Sequence, residues 1–102
     1  MNIKDVIVKP AAIASIALLT ACGGQQIDGE ALAVEKGCVA CHGTNGKAIA
    51  PIYPNLNGQW EKYLRTQLVA YRDGSRKNAI MSLQAENLSN EDIAVLAAHY
   101  GN

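Results

Sequence analysis

Five consecutive residues, Cys38-Val39-Ala40-Cys41-His42, hold the densest chemistry of the 102-residue chain. Cys-x-x-Cys-His is the attachment signature of a c-type haem. Two intervening residues let both thiols reach neighbouring vinyl groups of one porphyrin. A histidine directly after the second cysteine can then rise beneath the ring and offer its imidazole to iron. Two other chemistries use paired cysteines. A redox dithiol of the thioredoxin kind sits in a βαβ pattern, and no alternating strand pattern surrounds this pair. A structural zinc site needs four ligands, and the chain has no second cysteine pair. The motif predicts one covalent haem c per chain, with Cys38, Cys41 and His42 as cofactor-binding residues and His42 on the metal.

The third cysteine, Cys22, has a different setting. A charged start with Lys4 and Lys9 precedes Ala11–Ala21, eleven residues without charge. Such a run is short for a bilayer span and suits the middle of a secretory signal. Leu19-Thr20-Ala21-Cys22 resembles the bacterial lipoprotein box, in which the cysteine is acylated and becomes the new N-terminus. An ordinary signal with a chance cysteine, or a short signal-anchor helix, are the competing readings. Gly23-Gly24-Gln25-Gln26 is uncharged and reads as a flexible tether. Two or three acyl chains anchor stably where one is marginal. The expected organisation is a signal peptide over 1–21, a tether over 22–28 with Cys22 lipidated, and one domain over 29–102. That places the protein on the periplasmic face of a bacterial membrane without crossing it. Gly23 in place of Asp resembles outer-membrane lipoproteins of two-membrane bacteria.

Composition narrows the rest. Nine basic and nine acidic side chains leave no field to hold nucleic acid, and the length excludes a multidomain enzyme. Residues 22–102 offer 25 apolar side chains larger than alanine and no Phe. A core that thin usually needs a disulfide, a metal or a cofactor.

The elements that must position the motif follow from periodicity and caps. Residues 29–37 predict a short all-α start, with Asp28 as cap, Gly37 as stop and Val34 on the face shared with Cys38. From Gly43 to Gly58 there is no periodicity, and a loop that long in a small domain needs a reason such as wrapping a cofactor. Residues 59–73 predict a helix capped by Asn57 or Gly58 and stopped by Gly74, with Trp60, Leu64, Leu68 and Tyr71 as its apolar stripe. Trp60 and Tyr63 could be core aromatics or could turn polar tips toward haem propionates. A final helix from about Asn90 to Tyr100 has Ser89 and Asp92 as a capping box and Leu88 stapled to Ile93. Its buried face is Ile93, Leu96, Ala97 and Tyr100; Ala94 and Ala98 leave room for close crossing by the first helix, and His99 faces solvent.

Residues 29–102 resemble a small class I cytochrome c. The likeness rests on the order of CVACH at 38–42, Pro54-Asn55-Leu56, GQW at 58–60, YLRTQL at 63–68, DGSRKNAIM at 73–81 and LSNEDIAVLAAHY at 88–100. The resemblance implies an all-α fold, three or more short helices and loops wrapped around one covalent haem. It implies that Pro54 offers its carbonyl to the second ring nitrogen of His42, with Pro51 as a competitor, and that Met81, in an irregular segment, is the second axial ligand. It also places Arg76 and Lys77 where related proteins often keep basic groups near propionates. His99 is the other spare ligand of the mature chain.

An iron with both axial positions filled by protein has no vacancy for substrate, so the expectation is electron transfer and not enzymatic turnover. A thioether favours ferrous iron and raises the potential relative to two histidines. The expected protein is a monomeric, lipid-tethered carrier passing one electron between redox protein partners, a respiratory complex, oxidase or reductase. The alternatives are a haem-bearing subunit of an oxidoreductase complex, a haem ligand sensor with a labile iron position, and a metal-binding lipoprotein without haem.

Overall fold

A computed structural model of the chain describes residues 27–102; the expected signal peptide, Cys22 and most of the tether lie outside them. Five helices occur in the order α1 (Gly29–Glu35), α2 (Val39–His42), α3 (Glu61–Asp73), α4 (Met81–Ala85) and α5 (Asn90–Tyr100). The described residues contain no strand, and the fold is all-α.

Helix α1 starts where Asp28 Oδ1 accepts the amide of Glu30 at 3.1 Å, which satisfies one of the unpaired donors of a first turn. It buries Leu32 and Ala33 against α5. Val34 does not share the face of Cys38 as expected; it is 58 % exposed. Spacing by four aligns two residues only along one continuous helix, and here the helix ends at Glu35 and Gly37 turns the chain with φ 80°.

Helix α3 also begins later than its pattern suggests. Trp60 is the residue before the helix, in extended conformation and 74 % exposed, so it belongs neither to the core nor to the stripe. No side chain caps α3. The carbonyl of Asn102 instead accepts the amide of Glu61 at 3.1 Å, and the amide of Asn102 donates to Gln59 at 2.8 Å. Asn102 therefore does the work that the pattern assigned to Asn57 or Gly58. Downstream the stripe holds, with Leu64 buried and Leu68 and Tyr71 half-buried, and Gly74 closes the helix with φ 90°.

Helix α5 is the centre of the core. Ser89 Oγ accepts the amide of Asp92 at 2.9 Å, and Asp92 Oδ2 accepts the amide of Ser89 at 3.1 Å, a complete capping box. Leu88 and Ile93 are both buried in the main cluster, with Leu96, Ala97 and Tyr100 on the same face. Ile93 and Leu96 are the largest fully buried side chains, each stabilising by roughly 1.5–3 kcal/mol through burial. On α5, Ala94 is half-buried and Ala98 exposed; the close approach to α1 is seen at another residue. At Gly29 the two helices come so near that an added Cβ would stand 2.7 Å from the Cβ of His99.

Residues 43–60 are irregular but tightly pinned. Leu56 and Asn57 both donate to the carbonyl of Gly46, at 2.7 and 3.1 Å, and Ala48 donates to Asn55 Oδ1 at 2.7 Å. Gly46 is buried at φ 87°, and an added Cβ would meet the backbone nitrogen of Asn57 at 2.6 Å.

Candidate functional site

The cysteines and His42 sit on α2, a four-residue helix between two glycine turns. Glycine at 37 ends α1 so that the chain can restart at Cys38, and the amide of His42 then donates to the carbonyl of Cys38 at 2.9 Å. Cys38 and Cys41 are both free thiols, half-buried. Burial pushes the Cys38 thiol above its usual range.

His42 is buried, and its Nδ1–H donates to the carbonyl of Pro54 at 2.9 Å. The bond settles the tautomer, leaves Nε2 as the one ring nitrogen available to a metal, and fixes the ring's direction. The acceptor belongs to Pro54; Pro51 takes no part in it.

Across from α2 lies Met81, and here the sequence reading needs correction. Met81 is not in an irregular segment but is the first residue of α4. Asn78 Oδ1 accepts the amides of Ile80 and Met81, each at 2.9 Å, and the amide of Asn78 donates to Ser82 Oγ at 3.0 Å. Such an Asn turn at a helix start is a local signal that was present at 78–82 and was missed.

Two clefts open between these elements. One, of about 260 Å³, is walled mainly by α3 and α5 residues such as Tyr63, Leu68 and Leu96. The other, of about 250 Å³, runs between α2 and α4 and includes Cys41, Ile52, Tyr53 and Ile80. Cys38, His42, Pro54 and Met81 line both. The clefts are thus two lobes of one slot, divided where His42 and Met81 stand. Each lobe alone falls below the roughly 300–1,000 Å³ of usual cofactor sites, and the two together reach it.

The donors fit a haem c: two thiols one helical turn apart, one oriented imidazole, one thioether, and an apolar slot with no carboxylate in its lining. Among the described residues, no three His, Cys, Asp or Glu groups cluster for a metal. Arg76 is the one Lys or Arg that lines the slot; it donates to Gln67 Oε1 at 2.7 Å and lies 4.7 Å above the Tyr71 ring. Lys77 and Trp60 line neither lobe, whereas Tyr63 lines the first. His99 is not free in solvent. Its Nε2–H donates to the carbonyl of Thr44 at 2.6 Å, and it too lines neither lobe.

This all-helical frame around a Cys-x-x-Cys-His slot defines a c-type haem protein. Residues 26–99 match the family model described as cytochrome c, and the chain belongs to that family. It is 56 % identical over 68 residues to cytochrome c-554(548) of Halomonas halodenitrificans, a match covering 64 % of this chain and 82 % of the relative. It is 42 % identical over 65 residues to cytochrome c4 of Pseudomonas aeruginosa, covering 64 % of this chain and 32 % of that one. It is 32 % identical over 65 residues to the cytochrome subunit of sulfide dehydrogenase of Chlorobaculum tepidum, covering 64 % and 58 %. The chain thus spans most of the first relative but a third to just over half of the other two. Family membership makes this a haem electron-transfer protein whose cofactor is covalent haem c.

Proposed function

We propose that this protein is a single-haem electron carrier, tethered to a membrane by lipid on Cys22, in which His42 and Met81 are the residues that would hold the haem iron. The observation that carries the ligand assignment is that His42 and Met81 line both lobes of one slot while the second nitrogen of His42 is taken by Pro54. When bound, the haem supplies a reversible one-electron change at iron. The chain's own residues do the rest. Cys38 and Cys41 would each add a thiol across a vinyl group, sulfur bonding to one carbon and hydrogen to the other. Pro54 holds His42 in one orientation, and the Asn78 turn holds the start of α4, so neither ligand needs to rearrange when the electron count changes. Leu64, Leu68, Leu96 and Ala97 exclude water from the first lobe.

Met81→Ala tests the assignment. The haem-loaded variant should lose the weak far-red absorption of sulfur-ligated ferric haem, show a lower potential and bind carbon monoxide when ferrous. His99→Ala should change none of these. A wild type that binds carbon monoxide readily would favour a ligand sensor.

Cys22 lies outside the described residues, and no helix among those described is long and apolar enough to cross a membrane. The support for lipidation is Leu19–Cys22 after an uncharged run. Intact mass should show loss of 1–21 and gain of acyl chains, and Cys22→Ser should release the protein from membranes. The place of action is then the periplasmic face of a bacterial membrane, the outer one by the absence of Asp at 23. Its partners are redox proteins of a respiratory chain, and it turns over no substrate of its own. The name of the Chlorobaculum relative favours a second reading, a permanently bound subunit of a dehydrogenase. Purification from native membranes as a monomer or within a larger complex separates the two.

A further inference from the structure

Contacts at the two ends of α5 fix how α1 and α3 run beside it. At its start, Asp92 faces Lys36 at the exit of α1 at 4.0 Å, and Asn90 Oδ1 accepts from Arg72, in the last turn of α3, at 2.7 Å. At its end, His99 stands against Gly29, the first residue of α1, and Gly101 stands against Glu61, the first residue of α3. Both helices therefore begin where α5 finishes. One pole of the domain is built from these three helix ends.

The chain from Cys22 enters at that pole. Only Gly23–Gln26 separate Cys22 from Ile27, so even a fully extended chain keeps the two within about 18 Å. The same pole carries Trp60, the one tryptophan of the sequence, 74 % exposed at the residue before α3. The haem slot does not explain that exposure, because Trp60 lines neither lobe. Ile27 is exposed as well. Of the charged groups around them, Asp28 caps α1 and Glu61 pairs with Arg65 at 2.7 Å. Glu30 and Lys62 are exposed and opposite in sign. The pole thus offers an indole ring and no surplus of basic groups.

We propose that this pole rests on the membrane that holds Cys22, with Trp60 seated among the headgroups of neutral, zwitterionic phospholipid. The inference rests on the lipid-tether reading and adds the face that the domain turns toward the lipid. Tryptophan favours the membrane–water interface, where its ring meets apolar carbon and its N–H meets polar groups. One ring is a weak anchor for a free protein. Acyl chains on Cys22 make its contact intramolecular, so a weak preference suffices. Selection of anionic lipid needs clustered Lys or Arg, which this pole lacks. None of Ile27, Trp60, Glu61, His99 and Asn102 lines the haem slot, so contact here need not cover it.

The test compares two haem-loaded proteins: the lipidated full chain on phosphatidylcholine vesicles, and Cys22→Ser free in solution. Each receives a short pulse of hydroxyl radicals, and oxidation is read at each residue by mass spectrometry. Trp60 should be labelled about fivefold less on vesicles than in solution. Leu83, exposed on the helix that leads toward the start of α5 and outside both lobes, should be labelled equally in the two. Adding phosphatidylglycerol should change neither value. With the tether lengthened by Gly and Ser after Gly24, Trp60 should stay protected. In that long-tether protein Ile27 should also be protected, and Trp60→Ser should return Ile27 to its labelling in solution.

Equal labelling of Trp60 on vesicles and in solution would overturn the proposal, as would protection of Leu83 to the same degree. So would protection of Trp60 that needs anionic lipid or is lost on the long tether. A Cys22→Ser dimer in sedimentation with Trp60 already protected would assign the pole to a second copy instead. Intact mass without acyl chains, and a wild type that leaves membranes as readily as Cys22→Ser, would overturn the tether reading beneath it.

Discussion

The phenol of Tyr100, the last residue of α5, donates to the carbonyl of Gly43, the residue that follows His42, across 57 positions of chain at 2.9 Å. One turn of helix at the end of the domain thereby clamps the exit from the haem motif, and His99 beside it does the same to Thr44. Burial pushes the Tyr100 phenol up to about 12, because an ionised oxygen would lose both water and its donor role.

Tyr100→Phe should therefore cost about 1–3 kcal/mol, the price of leaving a covered carbonyl without a partner. The pH dependence has a definite sign. The folded phenol keeps its proton to higher pH than the unfolded one, so its contribution is complete below about pH 10 and is lost as pH rises toward 12. Denaturant melts of haem-loaded wild type and Tyr100→Phe should differ by a constant amount at pH 7–9 and converge above pH 10. A constant difference up to pH 11 would refute the clamp as drawn.

Asn78→Ala should weaken the hold on Met81. It removes the acceptor of two amides at the start of α4, worth about 1 kcal/mol by analogy with helix caps. The expected readout is the far-red absorption of the ferric protein. In the variant it should bleach at a lower temperature than the global melt, whereas wild type should lose both together.

Gly29→Ala should destabilise by about 1–2 kcal/mol in denaturant melts. The new methyl meets the Cβ of His99 at 2.7 Å, a clash that outweighs the gain in helix propensity. His99→Ala should not rescue it, because the clashing atom remains. Rescue would mean that the imidazole and not helix proximity sets the contact.

Cys38→Ala with Cys41→Ala, expressed without haem, should show little helix by circular dichroism. Nine apolar residues are buried in the described domain, two of them alanines of no detectable exposure. Burial at roughly 25 cal/mol per Å² over so few groups barely offsets ordering entropy of about 1–2 kcal/mol per residue. A cooperative, native-like melt of this variant would show that the protein core suffices alone.

Local chemistry was legible in the chain itself. Cys38, Cys41 and His42 are adjacent, so their joint use needs no knowledge of the fold. Ser89 with Asp92 and Asp28 with Glu30 act across two or three residues, and Gly74 stops its helix by its own backbone freedom. The apolar spacing of Ile93, Leu96 and Tyr100 was enough to identify the buried face of α5. The partner of His42 and the role of Met81 came from likeness to a family, and the structure supplies the bond and the shared slot that those residues make.

Everything that depended on two distant segments meeting was decided by tertiary structure. Val34 follows the helical rule in sequence and escapes it because Gly37 breaks the phase. Trp60 completes an apolar stripe on paper, yet the helix starts one residue later, where the carbonyl of Asn102 receives the amide of Glu61. His99, polar and off the stripe, reads as a solvent residue until loop 43–58 folds under it and brings the carbonyl of Thr44 within 2.6 Å. A backbone acceptor carries no side-chain signature, so no pattern of residue types announces it. Charge behaves the same way: the counts cancel along the chain, and only folding gathers residues 37–60 and 74–85, which hold no Asp or Glu, beside one slot.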